Sequence, residues 1–219
     1  ETKLDVIANN MANINTTGDL TVNAVGITQF VGSTIAVTGL TTLTGNGGAI
    51  TLTEATNNFV GAVSANNTGA NAISLRDANN ILLGTINTAN SLTVNATDIM
   101  QNGGGVVVGT TSSFTATNGN VDLSVSPFND FGGDISASAA GAGVGNVLIS
   151  DINAISLGTV TVTGNLALIA NGTGTITDNG IVNVTGNTQL TAGGNIILDS
   201  VNTFTGTVQV ELVNSSNLT

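Results

Sequence analysis

The 219-residue sequence predicts an all-β chain: a parallel β-helix (β-solenoid) with super-repeats of about 75 residues, each holding three or four coils. Three observations predict it. A long phrase, Ile73 to Gly103, returns altered at Val147 to Gly180, so that Asp77, Gly84 and Thr85 reappear as Asp151, Gly158 and Thr159, each 74 positions on. Self-similarity at a fixed period marks a repeat architecture. A short phrase occurs three times, as Phe59-Val-Gly-Ala-Val63, Phe131-Gly-Gly-Asp-Ile135 and Phe204-Thr-Gly-Thr-Val208. From Gly18 onward, apolar and small polar residues alternate in short runs such as LTVNAV, TIAVTG and AITLTE. Such β-branched runs bounded by Gly and Asn read as strands and turns.

The first 17 residues stand apart. Leu4, Ile7, Met11 and Ile14 are spaced as on one face of an amphipathic helix. Yet Ile14 to Ala24 also matches Ile86 to Ala96 at a constant offset of 72, and Asp5 lies 72 before Asp77. The expected division is therefore an N-terminal cap segment or partial repeat over 1–17 and a β-helix shaft over 18–219. In the shaft, related stretches begin at Ile27, Ile99 and Ile176, which are 72 and 77 apart. A unit of this length is too long for one coil and fits several coils of roughly 20 to 25 residues. No helical pattern separates the strands, which excludes βαβ units. A β-sandwich would need neither units of constant length nor a recurring Phe phrase.

Inward positions of such a coil call for Val, Ile and Leu. Corners call for Gly and Asn, which enter left-handed conformations cheaply. Stacked Asn side chains are expected to form ladders there. The one proline, Pro127, beside Phe128 and the Gly132-Gly133 pair, predicts a protruding loop or irregular coil near 126–145. At the end, Val208 to Thr219 still reads as strand and turn with no polar cap, so the chain is expected either to continue or to stack end to end on itself.

Composition limits the partners. Only 7% of residues are charged, against about 25% in an ordinary globular domain. Mean hydropathy is nevertheless positive, which argues for an ordered chain solubilised by Asn, Thr, Ser and Gly. With two basic residues, Lys3 and Arg76, and a net charge of −11, nucleic acid and anionic membranes are poor partners. No apolar run is long enough to span a bilayer. No signal peptide is visible, and the chain begins at Glu1, as expected of a mature or excised piece of something longer.

Two family resemblances accompany these readings. GDLTVNA, SLTVNAT, VTGNLALIANGTGTITDNG and LTAGGNIILDS, within residues 18–219, resemble the repeats of filamentous-haemagglutinin-like, two-partner-secreted bacterial adhesins. That resemblance implies a right-handed β-helical shaft exported to and displayed at the cell surface. LDVIANNMANINTTG (residues 4–18) resembles the N-terminal signature of flagellar rod and hook proteins, which implies a helix; nothing later in the chain is flagellar.

Chemistry is sparse. Without His or Cys there is no Ser-His-Asp or Cys-His arrangement and no usual zinc set. Without Tyr or Trp the common stacking platforms for sugars and bases are missing. Paired carboxylates are the remaining catalytic option. Asp77 and Asp151 would lie roughly 15–19 Å apart at the strand spacing if they shared a face, too far for glycoside chemistry. Asp130 and Asp134 can meet, but Asp-Gly-rich turns are more often plain turns. Calcium is the more reasonable ligand, with Asp130, Asp134 and Asp122 as candidates in FGGD and NGNVD, fragments of a calcium-binding repeat pattern. The structural repeat positions are Phe59, Phe131, Phe204, Asp77, Asp151, Gly84 and Gly158. The expected function is a non-enzymatic extracellular shaft of a bacterial filament or large adhesin, in which a biofilm role would fit. The alternative is a binding module presenting the 126–145 loop to a glycan or surface receptor. No cofactor is expected beyond calcium.

Overall fold

The computed structural model describes residues 4–6, 10–141 and 145–213. Every regular element among them is a β-strand, and every strand pairing is parallel. One coil shows the plan. Leu20–Asn23 forms face one, Ile27–Gln29 face two and Ile35–Val37 face three. The next coil repeats it with Thr41–Thr44, Ile50–Leu52 and Asn58–Phe59. Two longer strands, Asn80–Thr88 and Ile155–Val162, each turn a corner and serve two faces. The 28 strands therefore supply thirty face segments, ten coils of three.

The period-two pattern does what it predicts. On face one, Val22, Leu43, Ala65, Ile86 and Val106 stack in register and are all buried. On face two, Ile27, Ile50, Ile73 and Leu92 do the same. Alternate residues such as Thr42 and Thr44 point outward. Backbone N–H and C=O groups pair between coils, so ladder edges are left at the two ends and where a face is interrupted, as after Asn58–Phe59. The core is aliphatic apart from a few aromatics. Phe114 and Phe131 meet edge to face, with ring centroids 6.0 Å apart at 82°.

The N-terminal residues join the coil instead of forming a helix. Leu4–Val6, Asn10–Met11 and Ile14–Thr16 are strands, and they pair with the second coil through Leu4↔Leu20, Asn10↔Thr28 and Ile14↔Ile35. Inter-coil ladder bonds supply here what a helix would have supplied internally, and Met11 is buried in the core. Ile7 lies outside the described residues.

Corners carry the asparagines. Ahead of face three, a staircase climbs five coil steps. The backbone N–H of Asn120, Asn146, Asn165, Asn187 and Thr207 each donates to the side-chain oxygen one coil below, from Asp98 up to Asn187. The staircase is thus mainly side chain to backbone, with one amide-to-amide rung, Asn146 Nδ2 to Asn120 Oδ1 at 2.9 Å, and a further Asn-to-Asn rung, Asn46 Nδ2 to Asn23 Oδ1, lies at the corner after face one. The 126–145 region is mostly regular. Ser126 and Asn129 are buried, and Asp130–Phe131 and Ile135–Ala139 are strands. Phe128 projects at 65% exposure. Ala142 to Val144 lie outside the described residues.

Candidate functional site

Counting faces reveals how the units are framed. Phe59 lies on face three of the third coil, Phe131 on face one of the seventh and Phe204 on face two of the tenth. Each step is ten face segments. A unit is therefore three and one-third coils, and each unit enters one face further round than the last. Asp77 and Asp151 accordingly do not share a face: Asp77 leads into face three and Asp151 into face one.

The two recurring phrases meet at the junctions between units. The Phe59 N–H donates to Asp77 Oδ2 at 2.7 Å, and the Phe131 N–H donates to Asp151 Oδ2 at 2.8 Å. Each carboxylate also accepts from the backbone two residues on, Asn79 N–H to Asp77 Oδ1 and Asn153 N–H to Asp151 Oδ1, both 2.8 Å. Beside each clasp one backbone bond crosses, Ala78 N–H to the Asn57 carbonyl (2.7 Å) and Ile152 N–H to the Asn129 carbonyl (2.8 Å). Here the regular ladder stops and a buried side chain takes the place of a carbonyl. Asp77 is 3% exposed and Asp151 is fully buried. Burial pushes both carboxyls above the usual range, Asp151 to about 6, against the backbone donors that favour the charged form. The neighbouring Asp130 carboxylate adds to the upward shift of Asp151.

Two residues before each Phe sits an asparagine that sequence reasoning missed. Asn57 and Gln29 exchange reciprocal amide bonds (2.6 and 2.8 Å), as do Asn129 and Gln101 (2.6 and 3.2 Å). In the third unit Asn202 donates to Asp178 Oδ2 at 2.6 Å. In all three the asparagine oxygen also accepts a backbone N–H, from Ile35, Val106 and Val182. The full phrase is Asn-x-Phe-x-Gly-x-Val/Ile. Its glycine is required by close approach: a Cβ on Gly61 would strike the Gly39 carbonyl.

Gly84 and Gly158 mark the bulges in the two corner-turning strands. Val63 pairs Leu83 while Ala65 pairs Ile86, and Ile135 pairs Leu157 while Ala137 pairs Val160. A Cβ on either glycine would collide with the Oγ of Ser64 or Ser136 on the coil below.

The calcium candidates are not brought together. Asp122 lies on face three of the sixth coil, Asp130 on face one of the seventh and Asp134 at the corner before face two. Their oxygens take local hydrogen bonds, from Ser124 to Asp122, from Asn153 to Asp130, and from Ser156 and Asn179 to Asp134. Among the described residues no three acidic side chains cluster as metal ligands would. The concavities are open surface grooves, such as the one over Ala167, Gln189 and Gln209.

No curated protein and no solved structure matches the chain. Residues 3–66, 70–138 and 144–211 each match the family described as repeats of unknown function (DUF5649). The boundaries fall between each Phe phrase and the Asp that clasps it, so both clasps are bonds between consecutive repeats. The chain belongs to the DUF5649 repeat family.

Proposed function

We propose that the chain is a structural shaft, a segment of an extracellular bacterial surface filament or large adhesin that spans distance and performs no turnover. The observation that carries this reading is the junction. Two unit boundaries are sealed by the same buried clasp, and a motif whose purpose is to join one repeat to the next belongs to an array made for extension. The aliphatic core and the inter-coil ladder support it, since a protease must first open several coils to reach an extended segment. The absence of His and Cys and the local bonding of the surface carboxylates fit a non-catalytic role. The surface location rests on composition and on the resemblance to secreted adhesin repeats.

Immunogold labelling of the source cells with antibody to the purified chain, followed by electron cryo-microscopy of the labelled material, tests the reading. Label on rods projecting from the surface is expected. Label confined to the cell interior would overturn it. A glycan that binds the purified chain and is lost on substituting Phe128 would move the assignment to a binding module.

A further inference from the structure

Five Asn-Gly pairs occur in the chain, at Asn46, Asn102, Asn118, Asn171 and Asn179. Asparagine is among the chemically labile residues, and an Asn-Gly pair rearranges without a catalyst. The backbone nitrogen of the glycine loses its proton and attacks the asparagine Cγ. A C–N bond closes a five-membered succinimide, the Cγ–Nδ2 bond breaks and ammonia leaves. Water then opens the ring at either carbonyl, giving aspartate or isoaspartate, and nothing is oxidised or reduced. Glycine favours the attack because it sets no Cβ against the closing ring and leaves the backbone free to turn. The fold decides which pair reacts. The asparagine side chain must be untied, the glycine N–H unbonded and the glycine unpacked.

Four pairs are held. The Asn46 amide donates to Asn23 Oδ1, and the Gly47 carbonyl accepts from Asn71 Nδ2. Asn171 Nδ2 donates to Ser150 Oγ at 3.1 Å and to the Asp151 carbonyl at 2.7 Å. Asn179 Nδ2 donates to Asp134 Oδ1 at 2.9 Å and to Ser156 Oγ at 3.2 Å, and Gly180 lies so close over Gly158 that a Cβ would come within 2.6 Å of its carbonyl carbon. The Asn118 side chain is untied, but Gly119 is buried against Asp98, where a Cβ would stand 2.7 Å from Oδ1. That carboxylate also opposes the amide anion which attack requires.

Asn102-Gly103 meets all three conditions. Both residues are exposed, and no described residue bonds to the Asn102 side chain or to the Gly103 N–H. Gly103 has φ +71°, with nothing within 4 Å of where a Cβ would stand. The ladder holds on either side, through the Asn102 N–H on the Leu83 carbonyl (2.8 Å) and the Ile86 N–H on the Gly105 carbonyl (3.0 Å), so the peptide between Asn102 and Gly103 turns without breaking a backbone bond. The repeat supplies its own comparison. Asn102 and Asn179 directly follow Gln101 and Asp178, the partners of Asn129 and Asn202, and so occupy one position in successive units. The same dipeptide is free in the second unit and clamped in the third. We propose that Asn102 is a site of self-modification, converting to aspartate and isoaspartate as the chain ages, ahead of every other Asn-Gly pair. Each event makes the net charge of −11 one unit more negative, and isoaspartate also lengthens the backbone beside Gln101.

The test follows the purified full chain through prolonged incubation at mildly alkaline pH. Peptic peptides are read by mass spectrometry for the mass gain of amide-to-acid conversion, and electron-transfer fragments separate isoaspartate from aspartate. In the folded chain Asn102 is expected to convert about tenfold or more faster than any of the other four. In concentrated urea, where the clamps and the packing are gone, the five rates should converge. Gly103→Ala, whose Cβ crowds the closing ring, is expected to slow Asn102 about tenfold and to leave the circular dichroism of the parent. The comparison of folded with urea-unfolded parent decides the matter even if that variant fails to fold. An Asn102 that stays intact in the folded chain, conversion led by another pair, or a rate at Asn102 that unfolding raises as much as it raises the others would each overturn the proposal.

Discussion

Asp151 makes the junction sensitive to pH. Its carboxyl rises from the ordinary 3.8 to about 6 because burial disfavours the charge more than two backbone donors favour it. Below about pH 4 the group is neutral in both folded and unfolded chains. Between about 4 and 6 the folded chain holds a proton that the unfolded chain releases, so stability falls as pH rises through this window. A window of about two pH units, at about 1.36 kcal/mol for each, gives ~3 kcal/mol lost by pH 7. Asp151→Asn removes the titration while keeping the shape and one acceptor oxygen. The variant leaves either the Phe131 or the Asn153 N–H facing an amide NH₂, at a pH-independent cost of about 1–2 kcal/mol. The measurement is urea unfolding of parent and variant from about pH 4 to 7.5, followed by far-ultraviolet circular dichroism, since the chain has no Trp or Tyr to report by fluorescence. Charge repulsion from the net −11 affects both chains alike and cancels in the difference. The parent should lose ~3 kcal/mol relative to the variant across the window. A flat difference, or a parent that gains with pH, would show that the N–H donors outweigh burial and would refute the account.

Other expectations follow from the same geometry. Asn129→Ala strips acceptors from the Gln101 amide and the Val106 N–H and a donor from the Leu123 carbonyl, and should cost about 2–4 kcal/mol in thermal unfolding. Phe131→Ala removes the edge-to-face partner of Phe114 from a nearly sealed core and should cost about 3–5 kcal/mol, seen as a lower denaturation midpoint. Thr41→Val should raise stability by about 1 kcal/mol, because the buried Thr41 hydroxyl has no hydrogen-bond partner and valine keeps its shape. Ser112 and Thr188, its equivalents in the later units, have the same unpartnered hydroxyl. A fall in melting temperature on Thr41→Val would show that the hydroxyl is satisfied in solution.

The coil was legible because alternation and repetition are both written in sequence: Leu20 and Val22 face inward for the same reason that LTVNA looks like a strand. Asp77 and Asp151 were legible as repeat positions but not as clasps. Each one's partner is a backbone N–H, 18 or 20 residues back, in the preceding unit. Knowing the phrases does not show which phrase stacks on which. Asn57, Asn129 and Asn202 were hidden for another reason. They precede each Phe by two, but in so Asn-rich a chain one more asparagine carries little signal until its buried partner is known. The calcium candidates show the same gap between sequence and space. Asp122, Asp130 and Asp134 lie within 13 positions of one another, yet a three-faced coil turns each to a different side.

The fraction of a coil left over in each unit has a mechanical consequence. At the first junction face three loses its ladder, and its three-stranded sheet ends at Asn58–Phe59. Faces one and two continue there, through Val63↔Thr41 and Ile73↔Ile50. At the second junction face one breaks after Asp130–Phe131, while faces two and three continue through Ala137↔Val160 and Val147↔Leu166. A repeat of three whole coils would have placed every break on one face, and the array would carry a seam along its length. With three and one-third coils the breaks rotate, and each is bridged by the two neighbouring ladders and one buried carboxylate. The clasp aspartates and the non-integer unit are then parts of one device: the fraction spreads the interruptions, and the aspartate satisfies the N–H that each interruption would orphan.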